Sequence, residues 1–240
     1  TVEYSLNGGT FSTSIPKVNG ANTYSVSIRA SKAGYATKTI TKTITIGKNT
    51  QTGNLTLSAT SGTITYPTAG TFTVTKNTSG GTLSVTSSDT SVATASINGT
   101  TVTITPKAIS ADGKKTTITV TSAATSNYEK QTQTYTATVN RGTISLDATA
   151  YTGNYDGSDH DAVSNVKVTP TDATVEYSID GGAFSTTIPK VNGANTYSVS
   201  IRASKAGHAT KTITKTVTVG KNTQTGNLTL SASSGTITYP

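Results

Sequence analysis

One short stretch of the chain concentrates acidic side chains that could bind a metal ion. Asp156, Asp159 and Asp161 lie close together within residues 155–161. Carboxylate oxygens are the hard ligands that Ca²⁺ prefers, and a bound Ca²⁺ would stiffen the segment. The spacing lacks the terminal bidentate Glu of an EF-hand loop. The pattern therefore predicts either a calcium site or a solvated acidic loop, and the loop is the simpler interpretation.

His160 lies inside the same acidic stretch, and a histidine beside a carboxylate supplies two members of a Ser-His-Asp triad. The chain has 28 Ser residues, so a serine near His160 is expected by chance alone. The Gly-x-Ser-x-Gly turn that presents a nucleophilic serine does not occur in the sequence. We therefore expect no enzyme activity, and no cofactor unless the aspartates bind calcium.

The composition excludes several other kinds of site. The 240 residues include no Cys, Met or Trp, whereas 56 Thr and 28 Ser make up over a third of the chain. Without cysteine the chain can form neither a disulfide scaffold nor a thiolate metal site, and two His are too few for a histidine-rich centre. No apolar run reaches the roughly 18 residues of a membrane-spanning helix. We therefore expect no membrane insertion in this segment.

A long internal repeat organises the chain. Residues 1–67 recur as residues 174–240, a shift of 173, with 59 of 67 positions identical. This period is too long for a solenoid turn or a propeller blade, so each period should contain whole domains. The repeated sequence Lys-Asn-Thr-Gln-Thr-Gly and the segment 139–142 mark the boundaries. They predict part of a B-type domain at 1–47, a complete A-type domain at 48–140, a complete B-type domain at 141–220 and the first strands of the next A-type domain at 221–240.

Apolar and polar residues alternate with period two through most of the chain, which is the pattern of strands with one buried face. Clear examples are 24–28, 71–74, 101–104, 117–120 and 135–139, with turn signals at Asn98-Gly99 and at Asp180-Gly181-Gly182. About seven short strands in 80–90 residues are typical of an immunoglobulin-like sandwich. The predicted fold class is therefore all-β, with tandem immunoglobulin-like β-sandwiches arranged end to end and held by packing alone.

Both predicted domain types resemble repeats of bacterial surface proteins. Residues 87–95, followed by the hairpin and strand at 98–104, resemble the immunoglobulin-like domains of invasin- and intimin-type proteins. Tyr155-Asp156-Gly157, together with 175–182 and 194–199, is similar to the bacterial repeats named for their Tyr-Asp-Gly motif. Both resemblances imply an extracellular stalk or adhesin, and neither family brings a catalytic motif.

Strand parity draws attention to two equivalent lysines, Lys42 and Lys215. In the strand 38–46 the lysine shares one face with three isoleucines, so it points inward if they do. A buried lysine needs a partner, and some wall-anchored stalk proteins that resemble this chain join such a lysine to Asn through an isopeptide bond promoted by a nearby acid. Both lysines are therefore candidate crosslink sites. Glu3 and Glu176 are predicted to face outward, so neither supplies an acid beside the lysine. A lysine stem that extends to the sheet margin, or a bulge that turns the lysine outward, is therefore the simpler interpretation.

The net charge of +8 is concentrated in the two copies of the repeat. Residues 1–67 and 174–240 carry +5 and +4, whereas residues 68–173 carry −1. The basic residues are spread along strands with few aromatic neighbours, so the sequence predicts no nucleic-acid binding. A weak attraction to anionic wall polymers or glycans and a contribution to solubility alone are the two alternatives.

These features together favour a structural role over a catalytic one. We expect a stalk or spacer region of a large bacterial cell-surface or secreted adhesin-like fibrous protein, with an extracellular, cell-surface or cell-wall location and neighbouring repeats as partners. The alternative is a repeated module that binds glycans or host proteins through avidity. That alternative predicts a shallow groove with exposed Tyr35, Tyr151 and Tyr155 in every period.

The partial domain at 1–47 should have an open edge, because it lacks the strands that 141–173 supply to the complete B-type domain. We expect this edge to be completed by a neighbouring molecule, or the sequence to be a window of a continuous fibre. The start at Thr1 without a methionine also indicates such a window. A closed sandwich formed by 1–47 alone would show that the predicted boundaries are wrong.

Overall fold

The computed structural model describes residues 1–50, 53–223 and 234–236, and every regular element in these residues is a β-strand. The all-β prediction is therefore confirmed, and no helix that could cross a membrane occurs in this part of the chain. The strands are β1 (Val2–Leu6), β2 (Asn22–Ala30), β3 (Lys38–Ile46), β4 (Leu55–Leu57), β5 (Ser61–Thr65), β6 (Gly70–Asn77), β7 (Leu83–Ser87), β8 (Ala93–Asn98), β9 (Thr101–Pro106), β10 (Lys114–Ser122), β11 (Gln131–Asn140), β12 (Ser145–Ala150), β13 (Thr152–Asn154), β14 (His160–Asp161), β15 (Val163–Thr169), β16 (Thr174–Ile179), β17 (Lys190–Val191), β18 (Thr196–Ser204) and β19 (Lys211–Gly220).

The chain divides into two compact units, Thr1–Asn140 and Arg141–Pro240. This division falls at the position of the boundary that the sequence predicts between the A-type and B-type domains. The hairpin predicted at Asn98-Gly99 joins β8 to β9, but Asn98 lies opposite Thr101, so the two loop residues are Gly99 and Thr100. Gly99 has a φ of +58°, a conformation that the two-residue turn requires.

The larger part of the first unit is a closed sandwich, which we call domain A. One sheet has the order β5-β11-β10-β7 and the other the order β4-β6-β9-β8. Alternate residues of both sheets point into one shared core, as the period-two pattern predicts. The largest fully buried side chains of this core are Leu55, Ile104, Ile118, Val102, Val120 and Val139.

The second unit contains another closed sandwich, which we call domain B. Its main sheet has the order β13-β19-β18-β16, and the strand pairs β12-β15 and β14-β17 lie in separate small sheets. The core again takes side chains from the main sheet and from β12 and β15. Its largest fully buried side chains are Ile201, Val163, Val199 and Val217. Packing closes both cores without a disulfide, since the chain has no cysteine.

Both sandwiches are closed by the same device, a parallel pair between an early strand and the last strand. In domain A, Ser61–Thr65 of β5 pairs in parallel with residues 136–140 of β11. In domain B, Thr152–Asn154 of β13 pairs in parallel with residues 218–220 of β19. We call β5·β11 and β13·β19 the closing pairs. Every other pair of strands in the described residues is antiparallel.

Each closing pair contains a glycine on its early strand, and a tyrosine hydroxyl occupies the space that a side chain would fill. A Cβ at Gly62 would lie 2.1 Å from the hydroxyl oxygen of Tyr135, and one at Gly153 would lie 2.4 Å from that of Tyr151. Neither glycine has a positive φ. The glycines are therefore required by close approach, not by backbone conformation.

Residues 1–47 form an open sheet instead of a sandwich. The order β1-β2-β3 matches β16-β18-β19 of domain B, but no second sheet covers it. All 47 residues are described, and Ser5 is the only buried one among them. The absence of a closed sandwich agrees with the predicted open edge.

We predict that Gly62→Ala destabilises domain A by about 1–3 kcal/mol, the usual cost of overpacking. The new methyl group would displace Tyr135, whose ring stacks on Phe72 with a centroid distance of 4.3 Å and cannot shift freely. Urea denaturation of the full chain measures the loss. Tyr135→Phe should restore part of the stability in the Gly62→Ala background, because it removes the clashing oxygen. A Gly62→Ala chain as stable as the parent would contradict this account.

Candidate functional site

The most unusual surface of the molecule is one side of the open sheet. We call it the inner face and define it as the side of β1–β3 that carries Val2, Val26, Ile28, Ile40 and Ile44. Val2 is 48% exposed, Ile40 is 47% exposed and Ile44 is 42% exposed. These large apolar side chains on adjacent strands form one uncovered apolar face.

The same residues are covered in domain B. Val199, Ile201 and Val217, the counterparts of Val26, Ile28 and Ile44, are all fully buried. They share a core with Leu146 of β12 and Val163 of β15. Residues 141–173 therefore supply the cover that the open sheet lacks.

The opposite side of the sheet is the same in both copies. Arg29 forms an ion pair with Glu3 at 2.9 Å and lies 4.0 Å from the centre of the Phe11 ring. Arg202 makes the matching contacts with Glu176 at 2.9 Å and Phe184 at 4.0 Å. The two sheets therefore fold alike on their outer side, with the acids facing outward as predicted, and differ where the cover is missing.

One difference between the copies has a clear structural reason. Asn7 and Asp180 occupy the same turn with φ values of +51° and +48°. Each side-chain oxygen accepts a hydrogen bond from a backbone N–H on the next strand, from Ser25 at 2.9 Å and from Ser198 at 2.8 Å. Asn and Asp both tolerate a positive φ and both can accept this bond, so the exchange preserves the turn.

Three lysine–aspartate ion pairs connect the two segments of domain B, residues 141–173 and residues 174–220. In each pair the lysine belongs to 174–220, the copy of the open sheet, and the aspartate belongs to the covering segment 141–173. The pairs are Lys215 with Asp147 at 3.0 Å, Lys205 with Asp172 at 2.5 Å and Lys190 with Asp161 at 2.7 Å. All six side chains are partly exposed, so these pairs contribute more to register than to stability.

The counterpart lysines of the open sheet lack these partners. Lys17, Lys32 and Lys42 form no ion pair with any described residue, and Lys32 instead lies 5.0 Å from the centre of the Tyr35 ring. The open sheet therefore has a basic inner margin where domain B has paired charges.

Two of the aspartates carry an electrostatic signature of this pairing. The hydrogen bond from Lys215 lowers the pKa of Asp147 below its ordinary value, and the backbone N–H of Ala148 lowers it further. The hydrogen bond from Lys205 likewise lowers the pKa of Asp172. Both carboxylates are therefore held in their charged form by lysines of the other half of the domain.

The predicted crosslink lysines are less buried than the parity argument required. Lys215 does share the side of Val217 and Val219, but its side chain is 31% exposed and its partner is the carboxylate of Asp147. Lys42 is exposed. The structure favours the simpler interpretation, because the stem of Lys215 extends to the sheet margin and its ammonium group forms an ion pair there. This geometry does not support an isopeptide bond to asparagine.

The three aspartates of the predicted calcium site turn to different partners. Asp156 Oδ1 accepts a hydrogen bond from Ser158 N at 2.9 Å and lies 3.0 Å from His160 Nε2. Asp159 Oδ1 accepts a hydrogen bond from Asn192 Nδ2 at 2.8 Å. Asp161 forms an ion pair with Lys190. No group of three or more acidic, His or Cys side chains suited to a metal ion occurs among the described residues. The carboxylates thus fasten the 156–161 loop and do not converge on one point.

The side chain of His160 contacts an aromatic ring and a carboxylate. Its ring stacks on Tyr151 with a centroid distance of 4.4 Å, and its Nε2 faces Asp156. No serine hydroxyl in the described part of the chain bonds to it. The pKa of Asp156 is lowered, first by the backbone N–H of Ser158 and then by the hydrogen bond with His160.

Position 208 is covered in domain B, unlike its counterpart Tyr35 in the open sheet. His208 is only 9% exposed, because Gly142 at the start of domain B forms a parallel bridge with it. In the open sheet the matching Tyr35 is 70% exposed. Tyr155 is 46% exposed, whereas Tyr151 is half-buried beneath His160. The exposed Tyr35 is therefore not repeated at its matching position, His208.

Comparison with known proteins gives similarity of fold only. No protein-family model matches this chain, and no curated protein matches it. Similar solved structures include domains 4 and 5 of the S-layer protein SbsC, with 22% identity over 57% of this chain and 70% of that chain and a TM-score of 0.29. Domains 1–6 of SbsC show 18% identity over 95% of this chain and 33% of that chain, with a TM-score of 0.31.

Mouse protocadherin-24 EC1-3 shows 11% identity over 92% of this chain and 90% of that chain, with a TM-score of 0.34. These similar structures are surface-layer and cadherin domains. The identities lie below 25% and the TM-scores below 0.5, so neither a function nor a domain arrangement follows from them.

We predict that Ile201→Ala lowers the free energy of unfolding of domain B by about 2–5 kcal/mol, the usual cost of truncating a fully buried isoleucine. Ile28→Ala is the matched control, because Ile28 occupies the same position in the open sheet but is only half-buried. It should cost less than half as much. Urea denaturation of each full-length variant measures both values. Equal losses would show that the open sheet is covered in solution.

We predict a pH-dependent contribution from the lysine–aspartate pairs. Because pairing lowers the pKa of Asp147 and Asp172 below the ordinary 3.8, their stabilisation is present above about pH 4 and is lost as the pH falls through the lowered pKa values. The variant Asp147→Asn/Asp172→Asn should unfold at lower urea than the parent at pH 7. That difference should shrink as the pH falls through the lowered pKa values, and a difference that stays the same from pH 7 into strong acid would contradict the assignment.

Proposed function

We propose that this chain is a structural repeat region, a stalk or spacer, of a large bacterial cell-surface or secreted adhesin-like fibrous protein. The observation that carries this proposal is the closing pair, which occurs in both complete sandwiches in the same place. Repetition of near-identical domains supplies length. The Thr-rich strands and low charge limit adhesion between neighbouring molecules.

The closing pairs suit a protein that is pulled from both ends. In domain A the chain enters near β5 and leaves after β11, and these two strands run in parallel. A force along the chain therefore pulls the two strands past each other, so that their hydrogen bonds must break together. In an antiparallel hairpin pulled at its two ends, the same bonds would break one after another.

Each domain adds a second parallel contact where the chain enters it. Asn49 forms a parallel bridge with Tyr128 in domain A, and Gly142 forms one with His208 in domain B. The backbone N–H of Asn49 donates to Asn127 O at 2.8 Å, and that of Gly142 donates to Gly207 O at 2.8 Å. The entering segment is thus attached to its own domain at two points, which favours a load-bearing role.

The alternative function, a glycan- or host-binding module that acts through avidity, has less support. Avidity requires the same binding surface in every repeat, and exposed Tyr35 has the buried His208 as its counterpart. We also propose no catalytic role, since no serine hydroxyl bonds to His160 in the described residues. An extracellular, cell-surface or cell-wall location, with neighbouring repeats as partners, completes the proposal.

We predict that the open sheet, domain B and domain A yield in that order when the full chain is stretched from its ends. Domain B has three residue pairs in its closing pair and domain A has five. Forced unfolding follows the unfolding rate, so the shorter pair should break at lower force. Single-molecule stretching measures the forces and identifies each domain, because full extension releases up to about 280 Å from 141–220 and about 320 Å from 48–140.

The reverse order of the two sandwiches would contradict the role of the closing pairs. If both sandwiches yielded at the low force of the open sheet, the proposed load-bearing function would be contradicted as well. Gly153→Ala is a useful variant, because it should lower the unfolding force of domain B and leave that of domain A unchanged.

A further inference from the structure

One loop of the first copy contacts the domain that follows it in the chain. This loop, residues 19–22, leads into β2 at the end of the sheet where β3 finishes, since Asn22 lies opposite Ile46. The chain leaves for domain A at the same end. The loop and domain A both belong to the compact unit Thr1–Asn140. We call the contact between them the B–A joint.

A tyrosine gives this loop the same shape in both copies. Tyr24 Oη donates a hydrogen bond to Gly20 O at 2.9 Å and accepts one from Gly20 N at 3.2 Å. In the second copy Tyr197 Oη donates to Gly193 O at 3.0 Å. A Cβ would lie 3.2 Å from the tyrosine oxygen at Gly20 and 2.9 Å from it at Gly193, so both positions favour glycine. The shape of the loop is therefore set by its own residues.

Asn127 of domain A binds two segments at once. Its side-chain Oδ1 accepts a hydrogen bond from the N–H of Ala21 at 2.9 Å. Its backbone oxygen accepts one from the N–H of Asn49 at 2.8 Å, and Asn49 O accepts one from the N–H of Glu129 at 3.1 Å. The loop of the first copy and the segment that enters domain A therefore meet at one residue.

The covalent connection beside this contact is short. β3 ends at Ile46, and Asn49 is already attached to domain A, so only residues 47 and 48 lie between them. Asn127 is exposed, and one exposed hydrogen bond is modest by itself. The short connection makes the bond effective, because it keeps donor and acceptor close together. Two attachments at separate points also restrict rotation, whereas a single linker does not.

The joint is compatible with a complete B-type domain. In domain B the segment 141–173 reaches the end of β19, where the N–H of Tyr155 donates to Gly220 O at 2.8 Å. It leaves the loop donor unused, because the N–H of Ala194, the counterpart of Ala21, bonds to no described residue. Ala194 is exposed, whereas Ala21 is half-buried. The contact with a following domain therefore does not compete with the covering segment.

We propose that the loop 19–22 is an interdomain contact surface for the A-type domain that follows it, and that Asn127 fixes this joint. The loop 192–195 repeats the same four residues, Asn-Gly-Ala-Asn, so the A-type domain after domain B binds it in the same way. A B-type domain and the A-type domain after it then move as one body, which stiffens the array. The inference rests on the proposed function, because an array of repeats supplies a following domain at each loop.

The groups that meet at the joint are uncharged. A backbone N–H donates to an amide oxygen, so dissolved salt screens the contact little. The lysine–aspartate pairs inside domain B differ in this respect, because both partners are charged. The joint therefore recognises its partner by the position of one acceptor oxygen, and it should keep its stiffness at about 1 M salt.

Amide hydrogen exchange of the full chain, measured for each residue by NMR, tests the hydrogen bond of the joint. Residues 18–24 and 191–197 are identical, so Ala21 and Ala194 have equal intrinsic exchange rates. We expect Ala21 to exchange about two- to tenfold more slowly than Ala194, the protection that one net hydrogen bond gives. Asn127→Ala should remove this difference. Equal rates in the parent, or a slow Ala21 in the variant, would overturn the proposal.

Spin labels measure the stiffness of the joint independently. The chain has no cysteine, so cysteines introduced at the exposed Thr43 of β3 and Thr134 of β11 provide two unique labels. We expect one narrow distance distribution by pulsed EPR in the parent and a broader one in Asn127→Ala. Ser126→Ala is the matched control, because Ser126 is exposed and its side chain forms no hydrogen bond in the described residues.

An unchanged urea midpoint of domain A shows that Asn127→Ala is folded. Equally wide distance distributions in the parent and in this variant would overturn the proposal, and so would equal broadening by Ser126→Ala. Each of these results leaves the force order of the two closed sandwiches intact, so the proposed function is tested separately.

Discussion

The pairing of an early strand with the last strand is the interaction on which both sandwiches depend. A β-sandwich without cysteine or metal must bury two apolar faces against each other, and the entering chain has to join both layers. In domain A, β4 belongs to one sheet and β5 to the other. In domain B, β12 and β13 divide in the same way. The chain can therefore not leave either domain through its first strands without opening the core.

The open sheet shows what happens where that segment has no counterpart. Its strands keep their antiparallel register, their turns and their outer-face ion pairs, all of which depend on neighbours close in the sequence. Its inner face stays exposed, because burial depends on partners from a different segment. Ile28 and Ile201 occupy matching positions in the two copies of one strand. The covering segment alone decides whether the side chain is buried. Local sequence therefore specifies the sheet, and the distant segment specifies the domain.

Much of this architecture can be predicted from residue patterns. The period-two alternation identifies strands, and the Asn98-Gly99 signal locates a hairpin to within one residue, because both signals are local. The missing cover of 1–47 follows from the length of the repeat. The burial of His208 could not be predicted, since it depends on a bridge to Gly142 far back in the chain. The two closing-pair glycines carried a readable signal, since a glycine inside a strand pattern indicates a close approach.

The geometry favours the simpler interpretation of both the aspartate cluster and the candidate crosslink lysines, and the reason is physical. Asp156, Asp159 and Asp161 are close in sequence, but the chain bends at 157–158 and each carboxylate bonds to a different partner: Asp156 to Ser158 and His160, Asp159 to Asn192, and Asp161 to Lys190. Strand parity placed Lys215 on the correct side, yet parity does not measure distance from the margin, where Asp147 and solvent are available. The division of charge between 141–173 and 174–220 was visible in the sequence. To interpret this division of charge as ion pairing, however, one must know that the two segments form one domain.

The most direct test of this account compares two directions of pulling on domain A. Since the chain has no cysteine, two introduced cysteines provide unique attachment points in the full chain. Handles at Thr60 and Asn140 lie at opposite ends of the closing pair β5·β11 and load it in shear. Handles at Thr65 and Asn140 lie at the same end and peel it apart. The account predicts a severalfold higher unfolding force for the first pair of handles, and equal forces in the two directions would contradict it.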